Sequence, residues 1–236
     1  MLRLDFDGLV NARDLGGIGT GPGRVVRRGR VFRSETPQLM SEGDVARALG
    51  DLGVVRVIDL RNERTGDSGP LGHDGRGVRL DFFGLQGDRY STVDLEPDGF
   101  LAGQLDVAGE AVRQFFGLVA TSPGPTWVHC HTGKDRTGFV IALLLGVLGV
   151  GDDDIVTDYL ETSANYDQML ANLAAAGRRV PDTAPPFARH RPSDTGIRAM
   201  LDRLHSQWGG ARAFALANDV DNDLLDRLVE QLTEPL

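Results

Sequence analysis

Cys130 and Arg136 stand six positions apart, with His131, Thr132, Gly133, Lys134 and Asp135 between them. An apolar run of β-formers, Thr126-Trp127-Val128, precedes them, and Phe139 to Leu148, too long for one buried strand, follows. The intervening turn therefore falls at a helix N-terminus, where the first backbone N–H groups lack internal partners and the dipole favours negative charge. A loop of this length can wrap its amides around a tetrahedral oxyanion while the Arg136 guanidinium forks onto two of its oxygens. The same donors would hold the Cys130 sulfur as a thiolate, the nucleophilic form. The chemistry implied is phosphoryl transfer through sulfur.

Cys-x5-Arg alone is a weak signal, because 24 of the 236 residues are arginine. Two facts sharpen it: Cys130 is the sole cysteine and Lys134 the sole lysine. A compact ammonium placed where every other basic residue is an arginine suggests a point-charge contact to phosphate. The plainer alternative is a buried structural cysteine beside a solvated Lys-Asp-Arg turn. A nucleotide-binding P-loop fails, since it would need glycine at Val128 and a hydroxyl at Asp135. In the phosphoryl-transfer reading Cys130 attacks phosphorus, and Arg136 with the amides of His131, Thr132, Gly133 and Lys134 holds the equatorial oxygens. The Thr137 hydroxyl is then placed to stabilise the departing thiolate.

The elements that must position this loop are legible in part. Val54 to Leu60 reads as a strand covered on both faces, hence part of a parallel sheet, with Asp59 and Arg61 closing its carboxyl end, read as a mutual pair ahead of a part of the site wall. Val78 to Phe83 reads as another strand, and 101–120 as one crossover helix. Ser41 to Asp44 forms a capping box. Asp152 to Asp154 open a helix, and Ser193 to Gln207 is amphipathic. Near the N-terminus, 24–28 and 30–33 around Gly29 predict a hairpin, whose arginines are read as solvated except Arg33. The three adjacent aspartates make a poor metal site.

His-Cys-x-x-Gly-Lys-Asp-Arg-Thr-Gly resembles the signature loop of the cysteine-based protein tyrosine phosphatases. The nearest branch is the bacterial one typified by secreted mycobacterial protein tyrosine phosphatase B. Its further motifs are matched in order by Asn11-Ala12-Arg13-Asp14, Phe32-Arg33-Ser34, Asp59-Leu60-Arg61 and Asp158-Tyr159-Leu160. The resemblance spans nearly the whole chain. It implies an α/β fold, a central, mostly parallel sheet flanked by helices with a helical C-terminal part, in a single phosphatase domain over 1–236. It implies that Asn11, Arg13 and Asp14 brace the loop from beneath, that His129 tunes the nucleophile, and that Arg33 touches substrate. It also implies a lid within 162–195, where Arg178, Arg179, Arg189 or Arg191 could face phosphate. A mobile loop carrying an acidic Pro-Asp-Leu in relatives reads Phe83-Gly84-Leu85-Gln86 here. The general acid is then Asp135, with Asp88 and Asp81 behind it.

The expected activity is phosphotyrosine hydrolysis, extending to phosphoserine or phosphothreonine; a phosphoinositide phosphatase, suggested by Lys134, and a non-catalytic phospho-ligand binder are the alternatives. No cofactor or metal is implied. The formal net charge of −9 argues against nucleic acid as a partner. No apolar run approaches a membrane span and no signal peptide is seen, so the expected location is cytoplasmic, with export by another route left open. Oligomeric state is not legible.

Overall fold

The β-forming run 126–129 follows a proline-bounded turn. In the computed structural model, which describes residues 1–21, 23–62, 69–178 and 184–236, it lies inside a sheet. Among the described residues the strands are β1 (Leu2–Arg3), β2 (Arg13–Asp14), β3 (Arg24–Val26), β4 (Val31–Ser34), β5 (Arg56–Asp59), β6 (Gly77–Arg79), β7 (Thr126–His129) and β8 (Thr233–Pro235). The main sheet has the order β1-β2-β4-β7-β5-β6. Its β4, β7, β5 and β6 are parallel, and β2 and β1 add an antiparallel edge. The helices are α1 (Glu42–Ala46), α2 (Pro97–Gln104), α3 (Gly109–Ala120), α4 (Asp135–Val147), α5 (Asp152–Ala164), α6 (Tyr166–Ala175), α7 (Pro186–Arg189), α8 (Asp194–Trp208), α9 (Ala211–Ala217) and α10 (Asn222–Leu232). This is the expected α/β architecture.

Side chains alternate across the sheet, and the two faces are covered unequally. Ile58 and Val128 join the larger core, with Val112 and Phe115 of α3 and Phe139 to Leu145 of α4. Phe32, Val57 and Trp127 face a thinner layer of Leu4, Phe6, Leu9, Ala48 and Leu71. Helix α4 is apolar on nearly every side because it is enclosed on nearly every side. Register then sets the site: Ser34, Asp59 and His129 lie level across β4, β5 and β7. The residues just beyond them leave the sheet together at its carboxyl edge, where open α/β sheets hold their ligands.

Three local expectations change. Residues 24–33 are not a hairpin: β3 pairs antiparallel with β8, and β4 is taken by β2 and β7. Strand β4 is fully buried and forms pairs on both sides, which a two-stranded hairpin would not supply. Arg24 and Arg27 are correspondingly committed to Thr233 rather than to solvent alone. The helix expected over 101–120 is two helices, broken between Gln104 and Gly109; a Cβ at Gly109 would come 1.9 Å from Asn218 Oδ1, so α3 begins under the end of α9. The strand expected over 78–83 is only β6, because a 3₁₀ segment begins at Gly84. The capping box holds as read, Ser41 Oγ accepting from Asp44 N–H at 3.1 Å and Asp44 Oδ2 accepting from Ser41 N–H at 3.0 Å. Among the described residues no helix is long and apolar enough to cross a membrane.

Trp127 ties the thin layer to the strand ends. Its ring meets Phe6 edge-on at 5.7 Å, and its indole N–H donates to Ser34 Oγ at 2.8 Å. Replacing Trp127 by Phe keeps much of the apolar contact but removes the donor to the buried Ser34 Oγ, which keeps only its own bond to the Glu35 carbonyl. Equilibrium unfolding in denaturant should show a loss of about 1–3 kcal/mol.

Candidate active site

The loop leaves β7 after His129 and enters α4 at Asp135. Gly133 makes this passage possible. Its φ is +68°, and a Cβ there would lie 2.4 Å from the Ser34 carbonyl oxygen. The four carbonyls of the loop are each engaged by a donor. That of His131 accepts from Thr36 N–H at 2.9 Å, that of Thr132 from Asn11 Nδ2 at 3.4 Å, and that of Gly133 from Arg33 Nη2 at 2.7 Å. The Lys134 carbonyl accepts from Gly138 N–H in the first turn of α4. Among the described residues, the N–H groups of residues 131–137 have no acceptor. The loop thus gives its carbonyls to the protein and keeps a run of N–H groups for an anion, reinforced by the helix N-terminus.

The donors are themselves anchored. Asp158 of α5 accepts from Arg13 Nε at 2.8 Å and from the Arg33 guanidinium, and all three side chains are buried. Burial pulls the Arg33 pKa down to about 10, helped by nearby Arg13 and opposed by Asp158. Burial pushes the Asp158 carboxyl up, but Arg13 and Arg33 outweigh it and leave it below the ordinary value. Arg13 also donates to Asn11 Oδ1 at 2.7 Å, which orients the amide toward Thr132. Buried Glu35 accepts from the N–H groups of Val10 and Asn11, holding that segment beside the loop, and burial raises its pKa. Arg33, expected at the substrate, therefore lies beneath the loop as a brace, fully buried. Asp14 differs too: it accepts from Gly16 and Gly29 N–H, each at 2.8 Å, and so shapes 16–29 rather than the loop.

On the other flank Asp59 takes Arg61 in a bidentate pair at 2.9 and 2.8 Å, and Arg79 adds a third contact at 3.1 Å. The pair is nearly inaccessible, and the Asp59 carboxyl is held far below the usual range despite its burial. His129 Nδ1 lies 3.1 Å from the Cys130 carbonyl; a carbonyl only accepts, so Nδ1 carries the proton. Burial, with Arg61 and Arg136 nearby, depresses its pKa to about 4, Asp59 opposing. His131 falls to about 4 as well, through burial and then Arg136. Both imidazoles are neutral at ordinary pH.

Cys130 is 1 % exposed. Charge on its sulfur must then be met by the loop's donors, since water scarcely reaches it. Arg136 Nη1 donates to the Leu60 carbonyl at 3.0 Å, and the guanidinium lies over the Phe83 ring, 4.9 Å from its centroid. Its Nε and Nη2 have no acceptor among the described residues, which leaves the edge suited to two oxygens uncommitted. Lys134 is not a free point charge: its ammonium bonds the Asp135 carboxylate and the Phe187 carbonyl, the latter at 2.6 Å. Asp135 is 9 % exposed, and its charge helps raise the phenol pKa values of Tyr90, Tyr159 and Tyr166, though burial is the larger cause for each. Thr137 is buried, and its Oγ1 has no partner among the described residues. Arg178 donates to Gln38 and Arg191 to Ser163 and Asp167, while Arg189 is exposed; Arg179 lies outside the described residues. Glu35, Phe83 and Phe187 were not singled out from sequence. A lone acidic residue after an extended run and two aromatics among ten phenylalanines carry no spacing that marks them.

A parallel α/β sheet whose central strand delivers a cysteine into a cradle of amides with an arginine at its rim defines a phosphatase-type site. The chain belongs to the tyrosine phosphatase family, whose model it matches over residues 4–234. It is 36% identical, over 95% of its length and 84% of the relative's, to a putative tyrosine-protein phosphatase of Cupriavidus necator. A tyrosine-protein phosphatase of Nostoc commune is 31% identical over 78% of this chain and 68% of its own. The triple specificity protein phosphatase PtpB of Mycobacterium tuberculosis is 28% identical over 87% and 91% respectively. The protein is accordingly a protein-tyrosine phosphatase, a phosphoric monoester hydrolase whose substrate carries phosphate.

Two stability measurements check the bracing. Asp158→Asn leaves two buried guanidinium groups without their carboxylate and should lower unfolding free energy by about 3–5 kcal/mol, whereas Thr157→Ala on the exposed side of α5 should change it little. His129 binds its proton more weakly folded, near 4, than unfolded, near 6.5. Stability therefore falls as pH drops through that window. The fall should be about 3 kcal/mol steeper in the wild type than in His129→Asn, as read from denaturation midpoints between pH 7 and 4.

Proposed function

We propose that the protein hydrolyses phosphotyrosine in two steps through a cysteinyl-phosphate. Cys130 attacks phosphorus in line while the 131–136 amides and the Nε/Nη2 edge of Arg136 hold the equatorial oxygens. Asp135, which takes up a proton from solvent when the phosphate dianion binds, gives that proton to the leaving phenol oxygen and returns to the carboxylate that pairs with Lys134. Asp135, now a carboxylate, takes a proton from the water that attacks the phosphorus–sulfur linkage. Phosphate departs and the thiolate is restored, with Thr137 Oγ1 as its hydrogen-bond donor. Every step uses groups of the chain itself. The observation that carries this reading is the division of the loop, its carbonyls bonded to the protein and its amides left without acceptors.

Asp135 is favoured as the acid over its competitors by position. Asp88 is exposed, and Asp81 is engaged by Gly84 N–H at 2.9 Å in the turn after β6. A range wider than phosphotyrosine, extending to phosphoserine or phosphothreonine, is supported by the triple specificity in the name of the M. tuberculosis relative. A cover over the site within 162–195, on one phosphatase unit spanning 1–236, is supported by the bond from Lys134 to Phe187.

Release of p-nitrophenol from its phosphate should be lost at least a thousandfold in Cys130→Ser, and equal rates would overturn the nucleophile. On an alkyl phosphate, a poor leaving group, Asp135→Asn should lower kcat about a hundredfold or more, while Asp88→Asn stays near wild type. An unchanged Asp135→Asn would remove that residue from the role.

A further inference from the structure

The arginine of an oxyanion cradle must present one particular edge, and a guanidinium on a four-bond side chain does not hold its plane unaided. Two groups hold it here. The Leu60 carbonyl, at the end of β5, accepts from Nη1 and fixes rotation within the plane. The Arg136 Cζ lies over the Phe83 ring, 4.9 Å from its centroid, so the ring backs the guanidinium on that side. Phe83 is in turn immobilised by three rings, with centroids at 4.5 Å for Tyr90, 5.9 Å for Phe82 and 6.4 Å for Phe187. The connection that carries it is anchored by a buried amide pair, Gln86 Nε2 donating to Gln104 Oε1 of α2 at 2.6 Å.

We propose that Phe83 is a positioning residue for Arg136, its ring face holding the guanidinium so that Nε and Nη2 meet two phosphoryl oxygens together. This inference rests on Arg136 being the phosphate clamp. The turn following β6 then serves as a rigid platform rather than as a moving source of a proton. An arene attracts a guanidinium at the face and leaves its in-plane donors to the ligand, so the contact orients without competing. Packing alone would be satisfied by any apolar side chain of similar volume; orientation requires the ring.

The test separates those roles. Tungstate, a tetrahedral oxyanion that needs no chemistry, is titrated calorimetrically into Cys130→Ser protein carrying Phe83→Leu, Phe83→Met or Phe83→Tyr, with kcat and KM for p-nitrophenyl phosphate measured in the same substitutions on Cys130 enzyme. The expected result is a five- to tenfold weaker tungstate affinity and a similar fall in kcat for the leucine and methionine variants. Phe83→Tyr should lie within twofold of the parent on both counts. Parental affinity in Phe83→Leu or Phe83→Met, or a loss in Phe83→Tyr equal to theirs, overturns the proposal. Arg136→Lys is the separate control. If it keeps kcat/KM, the clamp reading itself falls; if it loses kcat/KM while Phe83→Leu leaves tungstate untouched, only the role of Phe83 falls.

Discussion

A short loop can bind an anion only if its carbonyls are kept away from it, and this chain meets that constraint by spending donors from distant segments on the loop's carbonyl oxygens. Thr36, Asn11 and Arg33 supply them in turn, and the first turn of α4 supplies the last. Peptide units are rigid, so fixing each oxygen fixes the N–H on its opposite side. The positive potential of the site is therefore a property of how the loop is held, and the buried carboxylate of Asp158 contributes to it without touching a ligand. That explains why buried polar groups from distant segments, Asn11, Arg13, Arg33, Glu35 and Asp158, gather beneath this one turn.

The same constraint explains what could be read from the sequence. β5, β7, the turn and α4 were legible because apolar runs bounded by glycine and proline report directly on burial, and Cys130 with Arg136 was legible because their spacing matches one chemistry. Arg33 and Lys134 were misread for a common reason. A positively charged side chain near a proposed phosphate suggests contact with it, yet Arg33 is spent on Asp158 and a carbonyl, and Lys134 on Asp135 and the Phe187 carbonyl. Sequence shows the charge but not the partner. The broken helix at 105–108 and the lost hairpin share another cause: both are decided by segments more than a hundred residues away, Asn218 and β8, which no local periodicity registers.

Lys134 gains meaning from its actual partners. An ammonium donating to both the neighbouring carboxylate and the carbonyl of α7 joins the signature loop to the segment that follows α6, a connection that a planar guanidinium with its fork of donors would make less readily. Phe187, whose carbonyl receives that bond, stacks on Phe100 of α2 with ring centroids 3.6 Å apart. Loop, α7 and α2 are thus mechanically continuous, and α2 also holds the amide pair under Phe83. Three separate stretches of chain are thus held together as one rigid seat beneath the loop.

The ribbon formed by β3 and β8 brings together parts of the chain near its opposite ends. Closing so large a loop has an entropic cost that only an otherwise assembled molecule can offset, so this contact belongs to the final stage of folding. The segment 16–29, tied by the Asp14 carboxylate, by buried Ile18 and Val26 and by the bond from Arg27 N–H to the Leu232 carbonyl, then orders late and frays early with that ribbon. Proteases acting on a partly loosened population would find their earliest cleavage there, well before the sheet that carries the sulfur gives way.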